Sequence, residues 1–314
     1  GTGTFSGGVT VGAGVLELNG SVSSPVTVNG GTLKGGGTVN HDLRIAGGTH
    51  APGSSTGITT LTGSYLVQAG GVLQVEINGA TAGVEHDQVH LAGASGVVAI
   101  SGRLDLVAAP GLAEGGQFVI INNTGSAAVA GAFLGLPENA EFFEDGQWWR
   151  ITYAGGTGND VVLTRIAVTA WNSWRLDHFG NGVNDAAIAG ELADPDFDNL
   201  PNLLEYALDA DPSVSDAAKL PVASVADSRL TFNFTRSDLC TDITMMVQAA
   251  DSPAGPWSDL AQSVNGAAFA PLAGTVAEYG TGPLHTVVVQ DAFLTTDPDH
   301  PHRFIRLRVS RSAW

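Results

Sequence analysis

Lysine is nearly missing from this chain: Lys34 and Lys219 are the only two in 314 residues. All basic side chains together number 13, against 31 acidic ones, for a formal net charge of −18. A surface this negative repels phosphate backbones, which excludes nucleic acid as an expected partner. Cysteine is reduced to Cys240 alone, so no internal disulfide can staple the fold. No apolar run approaches the ~18 residues that a membrane-spanning helix needs. Charged residues make up 14 %, against about a quarter in an average soluble protein. Hydrophobic residues nevertheless reach 43 %, which excludes a disordered chain and allows a sizeable core.

What is abundant is glycine, at 42 residues. No Gly-X-Y period exists, so collagen is excluded. The glycines instead follow a repeat. The triplets Val9-Thr10-Val11, Val26-Thr27-Val28 and Leu43-Arg44-Ile45 recur at a constant step, and Gly14, Gly31 and Gly48 keep it. Each glycine precedes a second short apolar stretch. Two short strands per step, each alternating inward and outward side chains, describe one coil of a β-solenoid. The glycines are expected at tight corners where φ is positive. Beyond the insertion 52–57 the strands lengthen, and residues 1–166 read as one solenoid with wider coils toward its end.

Thr32-Leu33-Lys34-Gly35-Gly36-Gly37-Thr38-Val39 resembles the recurring core of the bacterial autotransporter-associated β-strand repeat, and Ala51-Pro52-Gly53-Ser54 resembles its corner. His86-Asp87-Gln88-Val89 and the string from Ile151 to Val161 are similar to its closing segments. The resemblance covers about half the chain. It implies a right-handed parallel β-helix exported to a bacterial surface, and says little about activity. Residue 1 opens directly into a repeat, as expected of a mature form or a fragment. Residues 1–8 look like the middle of a repeat, with no charged residue before Glu17. Such an open strand edge invites pairing. The expectation is completion by more solenoid or by a neighbouring copy, giving head-to-tail self-association into a fibre.

Composition changes near residue 167. Residues 167–216 carry ten acidic residues and one basic, Arg175. Trp171, Trp174 and Phe179 are spaced along one helical face, and Gly180 should stop that helix. From 217 to 314 period-two alternation returns, with Leu230, Phe232 and Phe234 on one face. Ile305, Leu307 and Val309 share another face, with Arg306 and Arg308 opposite. Short strands with turns at regular spacing predict a C-terminal β-sandwich. The expected organisation is therefore mainly β: a solenoid at 1–166, a helical acidic joint at 167–216 and a sandwich at 217–314.

The joint holds the strongest chemical signal. Asp194, Asp196 and Asp198 occupy positions 1, 3 and 5 of a twelve-residue calcium loop. Leu200 offers its carbonyl at position 7, Asn202 sits at 9, and Glu205 at 12 can bind through both oxygens. Calcium wants six to eight oxygens, and this spacing lets one short loop supply most of them. Asn199 replaces the usual glycine at position 6, a mild departure because asparagine tolerates a left-handed backbone. The segment through Ala210-Asp211-Pro212 resembles the thrombospondin type 3 and dockerin-like calcium segments of secreted bacterial proteins. The alternatives are a solvated acidic linker or an aspartate helix cap. Three alternating aspartates followed by Glu205 exceed what solubility requires. Asp209 and Asp211 are candidates for extra ligands to that ion or to a second one.

Other constellations read as structure. Gly53-Ser54-Ser55-Thr56-Gly57 matches the esterase elbow in letters, but solenoid strands flank it where the elbow needs a helix. The glycine-rich string at 155–162 matches one calcium nonapeptide without a second copy to stack on, and reads as a turn before the last strand. His86, Asp87 and His90 are close in sequence, and an exposed polar strand face is the expectation there. Trp148, Trp149 and Trp257 are candidate sugar-stacking platforms, with at least one of the adjacent pair buried. Acidic residues in the solenoid form no close pair suited to glycoside chemistry.

These readings point to a non-enzymatic, secreted or surface protein of structural or adhesive type, with calcium as its cofactor. The alternative is an accessory region of a polysaccharide-processing enzyme, its sandwich binding a surface polysaccharide.

Overall fold

A computed structural model describes residues 2–3 and 7–311. The protein is mainly β, and the chain divides into two compact units, Gly1–Ala167 and Val168–Trp314.

From Thr2 to Gly131 the strands pair in parallel at a step of three places along the chain, which builds three sheets. One stacks Thr2–Gly3, Ser21–Val22, Thr38–Val39, Ile58–Leu61, Gln88–Leu91 and Gln117–Asn123. The second stacks Val9–Val11, Val26–Val28, Leu43–Ile45, Tyr65–Val67, Val98–Ile100 and Ala130–Gly131. The third stacks Val15–Glu17, Thr32–Gly35, Thr49–Pro52, Val72–Ile77 and Arg103–Ala108. Val9, Val26, Leu43, Tyr65 and Val98 lie in one column of the register. Val11, Val28, Ile45, Val67 and Ile100 form the next inward column, while Thr10, Thr27 and Arg44 between them point outward. The period of two thus sorts apolar residues inward at every step. Half of the stretch 1–8, residues 1 and 4–6, lies outside the described residues, and the expectation about that end falls partly on them.

The repeating glycines have a different reason from the expected one. Gly14 does have a positive φ, 69°, but Gly31 and Gly48 do not. They are glycine because the preceding layer lies too close. A Cβ on Gly31 would sit 2.7 Å from the Gly14 carbonyl oxygen. A Cβ on Gly48 would sit 2.2 Å from the Gly31 oxygen and 2.7 Å from Val28 Cγ1. Backbone on one side and a buried valine on the other leave no easy relief. Gly48→Ala should therefore cost about 2–3 kcal/mol through overpacking. Urea denaturation checks this, and a variant within ~0.5 kcal/mol of the parent would show that the layers can part.

The expectation of one parallel solenoid to residue 166 fails at its end. Asp160–Arg165 pairs antiparallel with Gln117–Asn123 on one side and with Gln147–Gly155 on the other, and Glu141–Glu144 follows at the edge. The glycine-rich string is the hairpin turn between the last two strands in sequence, with Gly155 opposite Asp160. Trp148 and Trp149 are both buried, and Trp149 meets Phe118 edge-on. These bulky strands close one side of the final layer, as an open edge requires.

A polar cluster around His50 lies inside the stack. His50 is fully buried between the Tyr65 hydroxyl, 2.8 Å from Nδ1, and Thr59 Oγ1, 3.1 Å from Nε2. Thr59 spends its hydroxyl proton on the Gly35 carbonyl at 2.9 Å. Nε2–H must therefore donate to Thr59, and Nδ1 must accept from Tyr65, so the ring is neutral. Burial pushes the imidazole down to about 3.

In the second unit two antiparallel four-stranded sheets share a core with the helical acidic segment. The first orders Val222–Ala226, Arg229–Ser237, Leu284–Leu294 and Thr275–Tyr279. The second orders Ala270–Pro271, Ser258–Val264, Ile243–Ala250 and Phe304–Arg311. Helix Ala170–Phe179 starts at Thr169, whose side chain accepts from the Asn172 amide, and stops at Gly180. Its Trp171 and Trp174 stack on each other at 5.2 Å and both meet Tyr206 of helix Asn202–Leu208. Trp171, Leu200, Leu203, Tyr206, Ala207 and Leu208 belong to the same buried cluster as Phe232, Phe234, Met245 and Val287. The acidic segment is thus packed into the sheets' own core. Among the described residues, no helix is long and apolar enough to cross a membrane.

Candidate metal centre

The loop 194–200 has no room for regular structure because its carboxylates fold its own backbone. Asp194 accepts from the Asp198 amide at 3.2 Å and from the Asn199 amide at 3.0 Å. Asp196 accepts from the Asp198 amide at 3.3 Å, and Asp198 from the Leu200 amide at 2.8 Å. These side-chain-to-backbone bonds replace a helix or strand ladder with successive tight turns. Asn199 has φ 73°, the left-handed backbone its position calls for. Phe197 is left-handed as well, with φ 61°, and is 86 % exposed. The alternation that turns the aspartates inward leaves this ring in solvent.

The loop is fixed from behind. The Leu200 side chain is buried in the second unit's core and leads into helix Asn202–Leu208. Asp242 ties that helix down by accepting from the Tyr206 hydroxyl at 2.7 Å and from the Trp171 amide at 2.8 Å. The Cys240 thiol donates to the Tyr206 carbonyl at 3.1 Å. Leu203, Ala207 and Leu208 face the core, which leaves Glu205 facing the acidic loop.

Two triads of carboxylates result. Asp194, Asp196 and Asp198 bring ligand oxygens within 4.8 Å of one another, and so do Asp198, Glu205 and Asp216. Glu205 is completely buried, and neither of its oxygens has a hydrogen-bond partner. Asp196 Oδ2, Asp216 Oδ1 and Asn202 Oδ1 are likewise buried and without a partner among the described residues. Asn202 spends its amide protons on the carbonyls of Ile188, at 2.7 Å, and Gly190, at 2.9 Å, so only its oxygen remains to bind. Burial, and then the charges of Asp196, Asp198, Asp216 and Asp194, push Glu205 up to about 8. An unpaired buried carboxylate costs several kcal/mol, and a native fold compensates it with a proton or a cation. The donors are all oxygen, which suits a hard divalent ion over zinc or copper.

The four acidic residues expected of the loop, Asp194, Asp196, Asp198 and Glu205, therefore lie in the two triads, with one addition and two removals among the acidic candidates. Asp216 lies outside the twelve-residue frame and joins because the chain folds back, its amide donating to Asp198 Oδ2 at 2.9 Å. No spacing rule marks it in the sequence. Its only signal is membership of the acidic segment. Asp209 and Asp211 do not face the centre. The Asp209 carbonyl accepts from Lys219, with its carboxylate 3.8 Å from the same ammonium. Asp211 accepts from both the amide and the hydroxyl of Ser213.

The remaining candidates resolve as structure. The exposed polar face expected around His86 is instead interior: His86, Asp87 and Gln88 are all buried. Asp87 accepts from the Gly57 amide at 2.8 Å and the Glu76 amide at 2.9 Å, which consumes it as a fastener between layers. His86 precedes the strand Gln88–Leu91, so its four-residue spacing to His90 does not align them on one strand. Ser54 and Ser55 are exposed at a corner between two strands, where the elbow would need a helix. With Trp148 and Trp149 buried, Trp257 is the one of the three platform candidates that reaches the surface, and the Arg306 guanidinium covers one of its faces at 3.9 Å.

Comparison with protein-family models finds no match, and comparison with curated proteins finds none.

Proposed function

We propose that this chain is a non-catalytic, secreted or surface-displayed structural module of bacterial type. In this reading a right-handed parallel β-helix of the autotransporter-repeat kind precedes a β-sandwich that carries a calcium-binding loop. The single observation that carries the calcium assignment is Glu205, wholly buried, with two unpartnered oxygens facing other carboxylates. Calcium fits better than magnesium because magnesium keeps several waters and demands rigid octahedral geometry. Here five carboxylates crowd together, as a large cation with many oxygen ligands requires. The β-helix reading is supported by the three-strand step of parallel pairing and by the residue columns that run through it. The repeat-like string at 32–39 falls on the strands Thr32–Gly35 and Thr38–Val39, as a coil of that kind would place it. A stack of near-identical layers lengthens at little cost in new sequence, which suits a spacer or stalk.

The test is thermal unfolding with calcium and with EDTA. Extracellular modules bind calcium with dissociation constants of about 0.1–1 mM. At ten times that constant the folded form gains about 1.4 kcal/mol. EDTA should lower the melting temperature of the second unit, and Asp196→Ala combined with Glu205→Ala should remove the response. Identical melts with and without EDTA would refute the calcium assignment.

A further inference from the structure

The five carboxylates form two triads and not one shell, and this bears on how many ions the centre holds. Ligands of a single calcium ion, bound at about 2.4 Å, lie within about 4.8 Å of one another. Asp194, Asp196 and Asp198 meet that limit together, and so do Asp198, Glu205 and Asp216, with Asp198 common to both. We infer that the centre binds two divalent cations side by side, bridged by Asp198. The inference rests on the calcium reading above and adds the second ion and its ligands.

Asp198 is held as a bridging ligand must be. One oxygen accepts from the Leu200 amide at 2.8 Å and the other from the Asp216 amide at 2.9 Å. Each carboxylate oxygen has two lone pairs, so both keep one for a metal. The outer ion takes the aspartates of the loop. The inner ion takes Glu205, whose two oxygens are buried without a partner, and Asp216 Oδ1, which is buried without one too. Charge supports the count. Five carboxylates with one divalent ion keep a net of −3 around a buried glutamate, and with two ions the net is −1. The inner ion also has a structural consequence. Asp216 lies beyond the helix, so its ligation ties the segment entering the first strand of the sheets back onto the loop.

The experiment is native mass spectrometry of the full chain, stripped of metal and titrated with calcium chloride. The expected result is two calcium ions per chain at saturation. Asp216→Asn should retain one ion, and its 211–219 segment should exchange amide hydrogens faster than the parent's in calcium. Saturation of the parent at one ion would overturn this inference and leave the calcium reading standing. No specific ion at all would overturn both. Two ions retained by Asp216→Asn, with unchanged exchange at 211–219, would remove Asp216 from the site and overturn the assignment of the inner ion.

Discussion

Replacing Glu205 by glutamine should stabilise the metal-free protein and at the same time weaken its response to calcium. The metal-free centre holds Glu205 up at about 8, from an ordinary value of 4.5. A carboxyl raised on folding contributes stability that is full below the unfolded value and lost as pH rises through the folded one. At pH 7 the unfolded chain is ionised and the folded chain still carries the proton, a penalty on the order of 3 kcal/mol. Glutamine carries no such penalty, because it resembles the protonated acid in shape and charge. In EDTA at pH 7, Glu205→Gln should therefore unfold at higher urea than the parent, and the gap should widen toward pH 8 and shrink toward pH 5. In calcium the order reverses. Loss of a charged, bidentate ligand should weaken binding by at least the ~10–100-fold typical of losing an outer partner of a metal site. Calcium at a concentration that stabilises the parent by about 1.4 kcal/mol should then stabilise the variant by clearly less, through the ion held by the loop aspartates alone. A variant less stable than the parent in both conditions by the same amount would mean that Glu205 is a packing residue.

The second large effect belongs to the first unit and to His50. Its folded value near 3 lies below the ordinary 6.5, so the unfolded chain takes up the proton first. Stability from this residue is full above about pH 6.5 and falls as pH drops toward 3. Between pH 7 and pH 4 the loss is about 3 kcal/mol. Asp87 works in the opposite direction, because burial raises it to about 7. The comparison that isolates His50 is with His50→Leu, since Asp87 is present in both chains. At pH 7 the variant should be less stable by about 1–3 kcal/mol, because the Tyr65 hydroxyl loses its acceptor. At pH 4 the difference should vanish or reverse, because the variant has no imidazole to protonate. Urea denaturation at the two pH values, followed by circular dichroism, reads this directly. Parallel pH profiles for the two chains would contradict a neutral buried His50.

The repeat was legible because stacking imposes it locally. Each layer needs the same inward residues at the same places, so Val9, Val26 and Leu43 announce their register in the letters alone. The closing strands were not legible as antiparallel. Alternation along Gln147–Gly155 is the same for either strand direction, and direction depends on a hairpin whose glycine-rich turn resembles a solenoid corner. The acidic cluster of Asp194, Asp196 and Asp198 could be read because these residues lie in one contiguous loop with fixed spacing. Asp216 could not, because its approach depends on where the chain returns after the helix. The burial of His86, Asp87 and Gln88 was hidden for a related reason. Polar residues in sequence suggest solvent, but in a layered stack a carboxylate can satisfy the amides of a neighbouring layer, as Asp87 does with Gly57.

The most direct test of the account is titration calorimetry of the calcium-stripped chain near pH 7.5, repeated in two buffers of different ionisation enthalpy. The account predicts saturable calcium binding in the millimolar range or tighter. It also predicts an apparent heat that changes with the buffer, because Glu205 releases its proton as the ion enters. The absence of saturable heat in both buffers up to several millimolar calcium would contradict it.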